Sequence, residues 1–397
     1  MQINEPVNYR IGFHHLGFRP FFLLGAMFAV VAIVAWFWLL SYAGQLPGMT
    51  SVSSVEWHAH EMLYGYSLAV ISGFLLTAVR NWTGIQTLNG LPLLLLAITW
   101  LVARIMPFVA HPDAMLWMVA FDLFFNTMLC VAILTPIVKV RQWKHLAIWS
   151  KLLLLGVGNG LFYLGVYGIL AEGVRLGLYT GLYIILSLIM LMARRVIPFF
   201  IEKGVGYPVS MVNYRWLDLA SLLFMVAFIV VEVFVVLPGW ATVVASVLAV
   251  LHAIRLWGWY SHGIWRKPLL WSLYLGYAWI VVGFVLRVLS GLDEVSPMLA
   301  VHAFAYGTIG MVTLGMMARI SLGHTGRDVF NPPASLAPIF ILLFVGSLVR
   351  VLMPLISPHA YPLWINLSQW LWIVAFSGFV IVYAPMLVKG RVDGSYG

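Results

Sequence analysis

The stretch HEMLYGYSLAVISGFLLTAVRNWTG, residues 60–84, has no charged side chain from Met62 to Val79. A run of that length crosses a bilayer as a helix, and it lacks the period-two alternation of a membrane strand. The rest of the chain is of the same kind. Of its 397 residues 63% are hydrophobic and 9% charged, and the mean hydropathy is +0.99. A soluble domain of this size carries roughly 25% charged residues. No water-facing surface can be built from this composition, so the bilayer is the expected solvent. There every backbone polar group must be satisfied internally, which here means helices. The predicted fold class is an all-α polytopic membrane protein.

Working outward from residues 60–84, apolar runs between turn-forming breaks predict twelve transmembrane helices in one domain, 1–397. They lie near 20–42, 60–80, 89–108, 113–138, 147–170, 174–199, 214–237, 240–262, 268–291, 297–320, 334–356 and 361–388. The breaks include QLPG at 45–48, KGVGYP at 203–208 and NPP at 331–333. Placing the N-terminus inside puts all 22 basic residues on the inner side except Arg104, Arg175, Arg287 and Arg350. Lys and Arg concentrate on the cytoplasmic side, so both termini are expected in the cytoplasm. The net charge of +9 is thus read as topology, and nucleic acid is not an expected partner. MQINEPVNYRIGFHH lacks the apolar core and cleavage site of a removable signal peptide. Cys130, inside an apolar run, is the single cysteine, so no disulfide framework or CxxC motif is expected.

Laying residues 302–326 over 60–84, a shift of 242, brings His60 onto His302, Tyr64 onto Tyr306, Gly65 onto Gly307 and Gly73 onto Gly315. Val70, Thr83 and Gly84 also meet their like at Val312, Thr325 and Gly326. The second and tenth helices therefore have equivalent roles, each with a His near its outer end and a Tyr four residues on, on the same face. MARR at 192–195 is a weaker echo of MARI at 317–320, suggesting three units of four helices. The glycines thin both faces, so a flat or bulky group can approach. Two histidines on opposed membrane helices are suited to axial ligation of a haem. The plainer reading is that each bonds to a neighbouring carbonyl.

Other polar residues sit near these two. In WHAHEM, His58 and His60 are about 200° apart on a helix. His58 can share a face with Glu61 and orient a propionate or serve a second metal; otherwise it is an interfacial cap. Arg104, Arg287 and Arg350 lie at the depth of His60 and His302 and suit haem propionates, the alternative being pairing with Glu232 or Asp122. His14, His15 and His324 gather on the inner side as a copper site or as solvated loop polarity. Asp122 with Asn126, and His252, are candidates for proton carriage or for closing buried hydrogen-bond networks.

The segments FRPFFLLG (18–25), WHAHEMLYGY (57–66), GFLLTAVRNWTG (73–84), MARRVIPFF (192–200) and HAFAYGTIGMVTLGMMARISLGHTGR (302–327) resemble the NnrS family over essentially the whole chain. That resemblance implies a bacterial inner-membrane protein with haem and copper, associated with nitric oxide metabolism and resistance to nitrosative stress. The architecture also looks like the catalytic subunit of haem–copper oxidases. The sixth and seventh helices hold no histidine, however, so the usual three-histidine copper centre is not expected.

The functional expectation is a haem b protein handling nitric oxide, with His60 and His302 as ligands, copper as a second candidate metal, and electrons from quinol or a small carrier. Redox turnover of nitric oxide would make it an oxidoreductase. A non-catalytic haem or metal sensor or store is the second reading. A secondary transporter is the third, although a repeat offset by an even number of helices keeps both copies parallel rather than inverted.

Overall fold

The computed structural model describes residues 11–42, 44–49 and 51–397. The segment 1–10, which holds Arg10 and most of the stretch read as no signal peptide, lies outside the described residues. Among the described residues twelve helices are long and apolar enough to cross a membrane. They are α1 Phe18–Tyr42, α2 Ser54–Thr83, α3 Gly90–Phe108, α4 Ala114–Lys139, α5 Trp143–Val166 and α6 Gly173–Gly204. The second six are α7 Arg215–Phe234, α8 Pro238–Gly258, α9 Pro268–Gly291, α10 Pro297–His324, α11 Leu336–Ile356 and α12 Pro358–Val388. The only pairing of strand type among the described residues is an isolated bridge between Ile11 and Lys389.

Local chemistry explains the ends. Proline opens α8, α9 and α10, where its missing N–H costs nothing and its φ suits a first turn. α2 begins at Ser54, well before the expected 60, because Ser53 and Glu56 form a capping box. The Ser53 hydroxyl accepts from the Glu56 N–H at 3.2 Å, and the Glu56 carboxylate accepts from the Ser53 N–H at 2.9 Å. α6 runs past the expected 199 to Gly204, straight through Pro198, a tolerance common in membrane helices.

The chain gathers into two compact units. Unit 1 comprises residues 1–181, 317–332 and 376–397; unit 2 comprises 182–316 and 333–375. The divisions fall inside α6, α10 and α12.

The repeat of α2 and α10 is written in the backbone as well as in the sequence. In both helices the α-helix widens to a π-helix directly after the histidine, over Glu61–Ser67 in α2 and Ala303–Gly310 in α10. Gly84 and Gly326, also equivalent, both take positive φ, 69° and 78°. A third π segment, Val230–Phe234, ends α7. Such turns are rare and frequently mark functional positions.

The thinned glycine faces are already filled, contrary to the expectation of room for a flat group. In unit 1, a Cβ on Gly65 would lie 2.7 Å from the Phe28 ring of α1, and one on Gly73 2.9 Å from Phe22. In unit 2, Gly307 packs against the Trp279 ring of α9, and a Cβ on Gly315 would come 2.9 Å from Leu273. So α1 serves α2 as α9 serves α10. Small residues let membrane helices gain the close van der Waals contact that association in lipid depends on.

Gly65→Ala and Gly307→Ala should each destabilise by about 1–3 kcal/mol, the usual cost of overpacking. Gly160→Ala, where nothing lies within 4 Å of the added methyl, should leave stability unchanged or raise it, as Ala is the better helix former. Thermal unfolding of the detergent-purified variants checks this; equal effects at all three positions would contradict the packing.

Candidate functional site

In unit 1, four helices bring a chain of polar side chains into the apolar interior. Arg104, at the end of α3, holds two carboxylates at once. Its Nη1 donates to both oxygens of Glu61 at 2.7 Å, and its Nη2 lies 2.5 Å from Asp122 Oδ1. The other Asp122 oxygen accepts from Asn159 Nδ2 at 2.9 Å and from the Tyr163 hydroxyl at 2.8 Å, both on α5. His60 closes the ring: its Nδ1 is 3.0 Å from Glu61 Oε1 and its Nε2 is 2.9 Å from Asn159 Oδ1. His60, Glu61, Asp122 and Asn159 are fully buried and Arg104 nearly so.

This geometry dictates roles. The Asn159 amide donates to Asp122, so the oxygen it turns to His60 is an acceptor. Glu61 offers another acceptor to the other ring nitrogen. Both ring nitrogens of His60 thus face acceptor oxygens. The Phe162 ring stacks on His60 at 4.4 Å. Asn159 and Tyr163 escaped the sequence reading. Their signal was one Asn within the apolar, glycine-rich run GVGNGLFYLG, 156–165. Asn126, grouped earlier with Asp122, donates to that residue's backbone carbonyl at 3.0 Å.

In unit 2, the equivalent histidine has a different setting. His302 Nδ1 is 2.8 Å from the Met298 carbonyl, which can only accept, so Nδ1 carries the hydrogen. Its Nε2 then presents a lone pair, and Arg350 Nη2 lies 3.0 Å away. Arg350 also sits over the Tyr361 ring at 5.8 Å. Arg287 instead makes a two-pronged bond to Glu232, at 2.8 and 2.6 Å, the pairing that competed with a propionate role. Tyr64 donates to the Gly177 carbonyl in unit 1 and Tyr306 to the Ser368 carbonyl in unit 2, at 2.6 and 2.9 Å. Both hydroxyls therefore tie helices together. His252 Nδ1 is 2.7 Å from the Tyr277 hydroxyl, fully buried.

The remaining histidines separate from these groups. His58 stacks on Trp36 at 4.6 Å. At the other end of unit 1, His14 and His15 meet edge to face at 5.1 Å, His15 stacks on Tyr396 at 4.5 Å, and His324 lies 5.6 Å from the Phe18 ring. Burial, then His14 and Arg19, push the His15 imidazole down to about 4.

A family model described as NnrS protein matches residues 12–391. The chain belongs to the NnrS family. No curated protein matches it. For this NnrS chain, the cofactors that the resemblance implies can be tested against the donors present. Both ring nitrogens of His60 face acceptor oxygens, Glu61 Oε1 and Asn159 Oδ1, so ligation through His60 would break one of these contacts. His302 fits better, because its Nδ1 is hydrogen-bonded to a carbonyl, the usual way a ligating histidine is oriented, and its Nε2 is the nitrogen that faces Arg350. Copper fits less well. Among the described residues no group of three or more His, Cys, Asp or Glu side chains could hold a metal ion, and the surroundings of His15 and His324 are cationic.

Arg104→Met strands two buried carboxylates and should cost about 3–5 kcal/mol, the penalty for breaking a buried ion pair from one side. Adding Glu61→Gln and Asp122→Asn removes the stranded charges and should recover most of that loss. The check is the unfolding temperature and monodisperse yield of single and triple variants; a triple variant no better than Arg104→Met would refute the network as described.

Proposed function

We propose that this NnrS-family protein is a haem b membrane protein of nitric oxide metabolism, with His302 as the iron's protein ligand. Family membership links the chain to nitric-oxide-related function. The observation that carries the finer reading is the fixed tautomer of His302, whose Nε2 is the acceptor atom in a pair with Arg350. A haem held there by His302 would supply the iron chemistry that nitric oxide requires.

The chain's own residues do the rest. The Met298 carbonyl orients the imidazole and raises its basicity. Arg350, half-buried, offers the guanidinium that a carboxylate-bearing ligand requires. Its present bond to His302 makes it the group that must turn aside to admit one. His60 stays within the Glu61–Arg104–Asp122 network and keeps α2, α3, α4 and α5 of unit 1 in register. Nitric oxide partitions into lipid, so the reading needs no water-filled entrance. We place the protein in the bacterial inner membrane with both termini cytoplasmic, from the distribution of basic residues, and expect quinol or a small carrier as electron donor.

A second reading rests on the buried His60–Glu61–Asp122 group, since intramembrane ionisable clusters often relay protons. It makes the chain a proton-coupled transporter without haem.

Reduced-minus-oxidised spectra of the purified protein separate the two. The haem reading expects sharp b-type bands in the wild type, lost in His302→Ala and kept in His60→Gln. A colourless wild type after haem-sufficient expression would sink it and favour the transporter. Bands lost in His60→Gln but kept in His302→Ala would assign the ligand to the other helix.

A further inference from the structure

At the end of unit 1 opposite the ionic network, four guanidinium groups converge. Arg19 is fully buried in the first turn of α1, and Arg327 and Arg391 act on it electrostatically. Arg391, Arg80 and Arg19 all act on His324, and Arg19 acts on His15. Arg80 sits over the Tyr396 ring at 5.8 Å, and Tyr396 stacks on His15. The Asp393 carboxylate answers part of this charge, engaged by Arg391 at 2.9 and 2.5 Å.

Backbone carbonyls absorb part of the donor capacity. Arg19 Nη1 donates to the Met386, Leu387 and Lys389 carbonyls at 3.1, 3.0 and 2.6 Å, capping the end of α12. Arg391 Nη1 donates to the His324 carbonyl at 3.3 Å. Yet Arg19 Nε and Nη2 and Arg327 Nη1 are buried with no hydrogen-bond partner among the described residues. Buried N–H groups of a cation are costly to leave unmade, and like charges crowded together repel.

We propose that this cluster is a binding site for a phosphate-type oxyanion, received by Arg19, Arg327 and Arg80. Guanidinium forks match the geometry of phosphate oxygens and cannot lose their charge, whereas a divalent metal would be repelled by the same groups. This turns the earlier copper reading of His14, His15 and His324 into its electrostatic opposite. The site stands apart from His302 and does not rest on the haem proposal. A free phosphate and the headgroup of an anionic lipid present the same chemistry.

The test is thermal unfolding of detergent-purified protein titrated with inorganic phosphate at constant ionic strength, and separately with phosphatidylglycerol micelles, with chloride and phosphatidylcholine as controls. Wild type should show a saturable rise in unfolding temperature with phosphate if the ligand is free, or with phosphatidylglycerol alone if it is a headgroup. Arg327→Gln should lose that rise and, without anion, unfold at a temperature equal to or above the wild type's, because repulsion is relieved. A merely structural arginine would instead lower the baseline and leave the titration intact. Arg80→Gln, on another helix, should also weaken the response several-fold. No saturable rise with either probe, or one that both variants retain, would overturn the proposal.

Discussion

The contact on which unit 1 depends is Arg104 held between Glu61 and Asp122. A charge inside a membrane protein must find its opposite within the protein, and here one guanidinium answers two carboxylates from two different helices. Its three contacts of 2.5 to 2.7 Å leave little freedom for α2, α3 and α4 to shift. His60 and Asn159 then complete the ring. The counterpart of His60 in the repeat, His302, faces a carbonyl and an arginine.

Two copies of one helix pattern have thus taken different work. Both keep the histidine, the π-helix directly after it, the tyrosine that ties a neighbouring helix and the glycine against an aromatic side chain. What differs is the counter-charge. Asp122 and Glu61 surround Arg104 in unit 1, whereas no carboxylate bonds Arg350 among the described residues of unit 2. An arginine without a carboxylate is available to an acidic ligand; one with two is not. This contrast supports placing the proposed haem at His302.

Much of the fold was legible in the sequence, since a hydrocarbon solvent writes itself into composition. All twelve spans were visible as apolar runs, and the start of α2 was misplaced where local chemistry, the Ser53–Glu56 capping box, overrode hydropathy. The site was less legible. His60, His302 and their arginines were found because they repeat, but a single sequence does not say which acid reaches which arginine across space. Asn159 and Tyr163 repeat nothing and announced themselves only by polarity.

The central claim is that His302 alone, and not a pair with His60, holds the iron. Electron paramagnetic resonance of the ferric purified protein tests it most directly. The account predicts a high-spin signal, as expected for one protein ligand, unchanged by His60→Gln. A low-spin signal of the bis-histidine type that His60→Gln converts to high spin would contradict it, and would mean that His60 leaves the Arg104 network to bind iron.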